Sequence, residues 1–206
     1  MKDIKTWILL GACSVILFLV VYFPNKITEK QNAYHHLLEF TGNLQMKEDV
    51  YLLSFEINNK MQGLIAPDVP CSATGVGAEV KINLLSDVVQ HKPILLYRYK
   101  DINCSTCYEL AIKELQTEFA DKQELAGILC SYKVDRDLTS FRRLNVIKLP
   151  MFRISHDAFD WEVEQYGNPY FFVLHPDMKI SNIYVPNKAY PEMNKQYLEG
   201  IKRLLN

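Results

Sequence analysis

Apolar positions change their spacing near residue 104, and that change organises the second half of the chain. Ile94 to Tyr99 form a short apolar and aromatic run opened by Pro93, which predicts a buried strand. From Cys104 onward Tyr108, Ile112, Leu115 and Phe119 recur at helical spacing, predicting a helix over Cys104–Ala120. The alternation continues with a strand over Gly127–Val134, a helix from about Asp137 to Asn145 and a strand over Met151–Ile154. Tyr170–Leu174 and Ile180–Val185 are separated by His175-Pro-Asp-Met, a turn that suits a hairpin. The last helix has Pro191 near its first position, Glu192 in its opening turn and Lys202 and Arg203 near its end. Its inward face is Tyr197, Leu198, Ile201 and Leu205. Strand–helix–strand–helix–strand followed by hairpin and helix predicts an α/β domain, a mixed central sheet with helices on both faces.

The first quarter follows a different pattern. Trp7 to Phe23 is an unbroken run of apolar and small residues, flanked by Lys2, Lys5 and Lys26. As a helix it spans about 26 Å, just under the thickness of a bilayer core of about 30 Å, with Trp7 and Tyr22 at the interfaces. It predicts an N-terminal transmembrane helix. Leu10-Gly11-Ala12-Cys13 offers an alternative, a lipoprotein signal anchored at Cys13, but the apolar run continues through Val15–Phe23 and no small-x-small cleavage site follows. Flanking lysines do not set the orientation. Ile27 to Met46 is polar with Tyr34, Leu37, Leu38 and Leu44 among it, predicting a juxtamembrane helix that holds the solvated His35 and His36. Val50 to Ile57 reads as a strand or a short helix, and Gly63 to Gly77 as loop and turn. Val80–Leu84 reads as a short strand, after which Ser86 caps a brief helix through Val89. The expected organisation is a tail (1–6), an anchor (7–23), a juxtamembrane helix and linker (24–60) and one domain (61–206).

A chain of 206 residues can carry an anchor and one full core, and a net charge of −1 gives no reason to expect nucleic acid. There is no internal repeat, low-complexity tract or Gly-rich phosphate loop. The candidate chemistry is Cys104 and Cys107, three positions apart where the predicted strand gives way to the helix. Open N–H groups and the positive dipole end favour a thiolate at such a place, and a thiol one turn further in can close a disulfide. One sulfur then attacks and the other resolves. The pair has two other readings, half of a zinc site or a structural pair without chemistry. No second Cys-x-x-Cys and no His-x-x-x-His supplies further ligands, so no metal and no cofactor is expected. Cys13, Cys71 and Cys130 are scattered singly. Cys130, mid-strand, reads as a buried inert thiol, and Cys71 as a loop thiol able to pair with it or resolve from outside. Glu109 is a candidate proton relay to Cys107, beside its plainer reading as the i,i+4 partner of Lys113.

The strand leading into Cys-x-x-Cys and helix, with the later run Gly167-Asn168-Pro169-Tyr170-Phe171-Phe172-Val173-Leu174, resembles the thioredoxin-like fold. More narrowly it is similar to the membrane-anchored thiol:disulfide oxidoreductases of the bacterial envelope, TlpA-like members of the redoxin group. The resemblance covers roughly residues 60–206, with Ala66-Pro67-Asp68 and Leu84–Val89 standing for an extra N-terminal hairpin region. It implies that Pro169 is a cis-proline facing the dithiol, and that Asn168 and Pro169 bind substrate backbone and keep metal away. The family commonly has Trp-Cys-x-Pro-Cys, where this chain has Asn103 before the motif and Ser105-Thr106 within it. Six residues before the first cysteine the family often has Asp or Asn as a proton relay; here it is Arg98. Alternation puts Leu96, Arg98 and Lys100 on one side of the strand and Leu95, Tyr97 and Tyr99 on the other. Arg98 is expected to be a surface charge; turned toward the dithiol it would favour the thiolate.

The expected function is a membrane-tethered thiol:disulfide oxidoreductase that exchanges, and by analogy reduces, protein disulfides. Cys104 attacks, Cys107 resolves, and Asn168 with Pro169 forms the docking edge. Its partners would be disulfide-bearing proteins, an unidentified thiol donor or acceptor, and the inner membrane, with the domain facing the periplasm or outside. The alternatives are a thiol peroxidase, although Asp101-Ile102-Asn103 lacks the Pro and Thr such sites place before the cysteine, and a redox-inactive binding module.

Overall fold

The structure, a computed structural model, describes residues 2–74, 84–89, 91–102 and 105–206; it leaves out the side chains of 2–21, 23–25, 27, 74, 105–107 and 135. The chain divides into two compact units, Met1–Asp49 and Val50–Asn206. The described residues of the first unit are all helical and form the larger part of α1 (Lys2–Met61). The predicted helix over 27–46 lies within it, and the ambiguous segment 50–57 is helix too. Among the described residues no helix is long and apolar enough to cross a membrane. Apart from Tyr22, the side chains of the apolar run 7–23 lie outside the described residues.

In the second unit the remaining elements are β1 (Ser72–Thr74), α2 (Ser86–Val89), β2 (Ile94–Lys100), α3 (Ser105–Glu118), β3 (Ala126–Ser131), α4 (Asp135–Leu144), β4 (Met151–Arg153), α5 (Glu162–Gln165), β5 (Tyr170–Leu174), β6 (Ile180–Tyr184) and α6 (Pro191–Leu204). The six strands form one sheet in the order β1-β4-β3-β2-β5-β6. β3 runs parallel to β2 and to β4, whereas β1, β5 and β6 pair antiparallel with their neighbours. The mixed sheet expected from the alternation is therefore present. The predicted strands and helices of residues 94–206 are all found, with ends shifted by a few residues. Three elements were not predicted: β1, within the segment read as loop, a 3-10 turn at Gln123–Leu125 and the single-turn α5. Of the strand expected over 80–84, residues 80–83 lie outside the described residues; Leu84 forms an isolated bridge with Pro70.

β2 is the centre of this sheet, and its first six residues are buried. Because side chains alternate along a strand, it feeds two cores. Leu95, Tyr97 and Tyr99 join Tyr108, Ala111, Ile112, Leu115 and Phe119 of α3, Leu138 of α4, and Leu198 and Ile201 of α6. Ile94 and Leu96 join Val88 and Val89 of α2, Val163 of α5, Phe159 and Trp161. The last turns of α1 contribute Ile57 and Met61 to that second core, each 2% exposed, so the compact domain begins at Val50 and reaches into the segment expected as linker. Asn58 fastens the same turns by accepting from the Ile183 amide at 3.0 Å, and Lys60 pairs with Glu162 at 2.9 Å.

Truncating Ile57 to alanine should therefore cost about 2–5 kcal/mol in urea unfolding of the full chain. Leu144→Ala, at an exposed helix end, should change stability by less than about 0.5 kcal/mol.

Candidate active site

β2 ends at Lys100 and α3 begins at Ser105, so the Cys-x-x-Cys motif spans the junction of strand and helix. Cys104 lies outside the described residues. Cys107 is the third residue of α3, with its side chain outside the description. Tyr108 anchors that first turn: its ring stacks on Tyr99 of β2 at 4.7 Å and meets Phe141 of α4 edge-on at 5.5 Å. Tyr132 closes the cluster, with its hydroxyl 3.2 Å from that of Tyr99. Burial pushes the Tyr99 hydroxyl far above its ordinary range, so it stays neutral.

The antiparallel register of β2 and β5 sets Arg98 opposite Tyr170. The residues before Tyr170, Asn168 and Pro169, therefore approach the end of the sheet where β2 gives way to the dithiol segment. Asn168 is exposed and Pro169 is buried. Asn168 lines a cleft of about 230 Å³ with Leu110 and Ala111 of α3, Val50, Leu53 and Ser54 of α1, the loop 185–188 and Asn194. Leu110 stands three residues, close to one helical turn, beyond Cys107. The Asn168–Pro169 bond is trans, and no peptide bond among the described residues is cis, which corrects the expectation for Pro169. The chain turns at Gly167 instead, whose φ of +66° a residue with a side chain rarely adopts.

Arg98 is the second correction. It is 1% exposed, on the side of β2 that faces the second core, and no surface charge. A guanidinium there has to be paired. Its Nε donates to Glu164 of α5 at 3.0 Å and its Nη1 to Ser131 Oγ at 2.6 Å. A further bond reaches the Tyr99 carbonyl at 3.2 Å. Lys100 reaches the same carboxylate at 2.5 Å, and the Tyr170 hydroxyl donates to it at 2.8 Å. Burial raises the pKa of Glu164, but the Arg98 charge and the bonds from Lys100, Arg98 and Tyr170 outweigh it and hold the carboxyl below the usual range. Sequence reasoning missed Glu164 because α5 is a single turn without periodicity. The signal available was an arginine inside an otherwise apolar strand, which requires an acid elsewhere.

Cys71 and Cys130 are both buried and unpaired. They belong to opposite cores, which corrects the idea of a bond between them. Burial pushes each thiol up to about 12, so neither is a nucleophile near neutral pH. Glu109, the candidate relay, is exposed and borders a groove with Lys113, Gln116 and Phe141. His175 is half-buried, its Nε2 2.8 Å from Ser181 Oγ. No group of three or more potential metal ligands gathers among the described residues.

No family model matches the chain, and no curated protein matches it by sequence. Solved structures do. A thiol:disulfide interchange protein from Bacteroides sp. aligns with a TM-score of 0.48 at 16% identity, over 70% of this chain and 90% of that one. The thioredoxin domain of a thiol-disulfide oxidoreductase from Bacteroides vulgatus aligns with a TM-score of 0.48 at 11% identity, over 69% and 99%. Thioredoxin peroxidase I of Plasmodium yoelii aligns with a TM-score of 0.47 at 17% identity, over 69% and 90%. What decides the architecture is the chain's own topology: a strand–helix–strand crossover, then an antiparallel hairpin on the far side of the first strand, and a closing helix. The fold is thioredoxin-like. In this thioredoxin-like domain the Cys-x-x-Cys motif follows the central strand, and Asn168-Pro169 precedes the strand paired beside it.

The Arg98–Glu164 pair yields a stability prediction. Glu164→Ala strands a buried guanidinium and should cost about 3–5 kcal/mol by chemical denaturation. A carboxyl depressed in the folded state contributes stability that is complete above its unfolded pKa of about 4.3 and is lost as pH falls through the folded value. Wild-type stability should accordingly fall on acidification below about pH 4.3, and Glu164→Gln should flatten that part of the curve.

Proposed function

We propose that this chain is a thiol:disulfide oxidoreductase working through Cys104 and Cys107. The observation that carries the reading is a Cys-x-x-Cys at the junction of the central strand and its helix, with Asn168-Pro169 approaching the same end of the sheet. The Cys104 thiolate attacks a substrate disulfide, forming a mixed disulfide and expelling one substrate thiolate. The Cys107 thiolate then attacks the Cys104 sulfur, releasing the second substrate thiol and leaving a Cys104–Cys107 disulfide. Two electrons pass from the dithiol to the substrate, and a thiol donor returns them. Asn168, which is exposed, forms the docking edge with Pro169, and the cleft between it and α3 receives the partner's chain. The burial of Cys71 and Cys130 supports this division of labour, since it leaves both thiols protonated.

Cys104→Ser should abolish reduction of insulin disulfides by the dithiothreitol-primed protein. Cys107→Ala should instead accumulate mixed disulfides on Cys104, visible as adducts on non-reducing gels. Turnover surviving in Cys104→Ser would refute the assignment. Hydrogen peroxide consumption by the reduced wild type, outpacing disulfide reduction, would favour the thiol peroxidase reading. An irreducible Cys104–Cys107 pair would favour the binding module.

The proposal extends to a single-pass inner-membrane anchor over Trp7–Phe23, with the domain in an oxidising compartment outside the cytoplasm. An unbroken run of apolar and small residues, at the short end of the range for one crossing, supports it. The full chain should sediment with membranes and resist carbonate extraction, whereas a chain lacking residues 2–23 should not. Lipid attachment at Cys13 would instead appear as a mass increase abolished by Cys13→Ser.

A further inference from the structure

We propose that the cleft beside Asn168 selects the partner by an uncharged apolar side chain, of leucine or valine size, a few residues from the partner's cysteine, and that the Ser54 hydroxyl donates to a backbone carbonyl of that segment. The identity of the partner rests on the thiol:disulfide reading; the selectivity of the cleft rests on the residues that wall it.

Ser54 carries the inference. It lies in α1 within the compact domain, is 8% exposed, lines the cleft and has no hydrogen-bond partner for its Oγ. A serine inside a helix commonly bonds back to a carbonyl one turn earlier; this one does not. A buried hydroxyl without a partner costs free energy, and a ligand that brings an acceptor removes the cost. Asn194, on the same cleft, is the contrast. Its Oδ1 accepts from the Tyr184 hydroxyl at 2.9 Å and the Asn187 amide at 3.0 Å. Its Nδ2 donates to Glu114 at 3.0 Å and to the Asn187 carbonyl at 3.2 Å. All its capacity is spent on fixing the loop 185–188. Asn58, one helical turn beyond Ser54, ties α1 to Ile183 of β6 in the same way. The cleft is therefore held in shape before a partner arrives, which lowers the ordering cost of binding.

Size and charge choose the occupant. A volume of about 230 Å³ falls below the range of about 300–1,000 Å³ typical of small-molecule sites and suits one side chain with its backbone. Val50, Leu53, Leu110 and Val185 give the lining an apolar character, and its ionisable residue among those described is Lys188, which is exposed. A leucine loses no charge hydration on entering, whereas a lysine would also meet Lys188 and a glutamate would bury its carboxylate against valine and leucine. Leu110 stands about 4.5 Å along the helix axis from Cys107. An extended chain advances about 3.3 Å per residue, so the selected side chain lies only a few positions from the cysteine under attack.

The test measures fluorescence anisotropy with the full chain in detergent, carrying Cys104→Ser/Cys107→Ser so that no exchange occurs. The probes are short labelled peptides of alanine and serine around one carbamidomethylated cysteine, with leucine, lysine or glutamate at each nearby position in turn. The best leucine peptide should bind at least about tenfold more tightly than its lysine and glutamate counterparts. Ser54→Ala should weaken that peptide about fivefold without lowering the urea midpoint, because the hydroxyl makes no bond in the free chain. Val50→Trp, which fills the cleft, should abolish binding. Equal affinity for the three peptides would overturn the inference. So would Ser54→Ala binding like its parent or lowering the midpoint, or binding that survives Val50→Trp. Turnover is scored separately: a wild type that reduces no disulfide, while its dithiol-free form still selects leucine, refutes the redox reading and leaves the cleft assignment standing. An active enzyme whose dithiol-free form binds all three peptides alike loses only the cleft assignment.

Discussion

β2 has to be covered on both faces, and most of the domain answers that requirement. Its alternating side chains enter two separate cores, one beneath α3, α4 and α6 and the other beneath α2, α5 and the end of α1. Fully burying one large apolar side chain contributes about 1.5–3 kcal/mol, so leaving either face of β2 open would forfeit several such terms. Arg98 makes the requirement stricter. A guanidinium at that depth is tolerable only with an acid, a hydroxyl and carbonyls around it, and Glu164, Ser131 and the Tyr99 carbonyl meet that need. The short helix α5 therefore has an electrostatic reason to exist that its length alone does not reveal.

The same strand leads into the Cys-x-x-Cys motif. Where β2 stops, the chain carries the Cys-x-x-Cys motif into α3, and the antiparallel strand beside it begins immediately after Asn168-Pro169. Stacking of Tyr108 on Tyr99 ties the first turn of that helix to the sheet. Burial keeps the described thiols, Cys71 and Cys130, protonated. Gly167, turning through a positive φ, brings the chain to Asn168-Pro169 with a trans bond where the family resemblance implied a cis one.

α1 carries apolar residues on more than one face. Its last turns give Ile57 and Met61 to the domain, so residues that look like linker are core. Tyr51, Leu52 and Phe55 in the turns just before them stay exposed. A helix whose apolar positions exceed one face's needs shows no single clean stripe, and this is why the pattern of residues 50–57 suits a strand as well as a helix.

Elements with strong periodicity are legible in the amino-acid sequence. The helix bearing Tyr108, Ile112, Leu115 and Phe119, the hairpin around His175-Pro-Asp-Met and the Pro191 helix are all where their patterns put them. Local chemistry is legible as well, since two cysteines three apart after an apolar strand need no tertiary contact to be noticed. Beyond that reach lies everything that depends on residues far apart in the chain. The acid that pairs with Arg98 lies 66 positions away, and the partition of Cys71 and Cys130 between two cores follows from sheet order. The sequence by itself determined which segments become strands and helices, and that a dithiol sits where one meets the other, because spacing and turn chemistry act over a few residues. Tertiary structure alone decided that Arg98 is buried, that the end of α1 is core and that Asn168-Pro169 approaches the end of β2. Burial and strand pairing join residues that no local pattern relates.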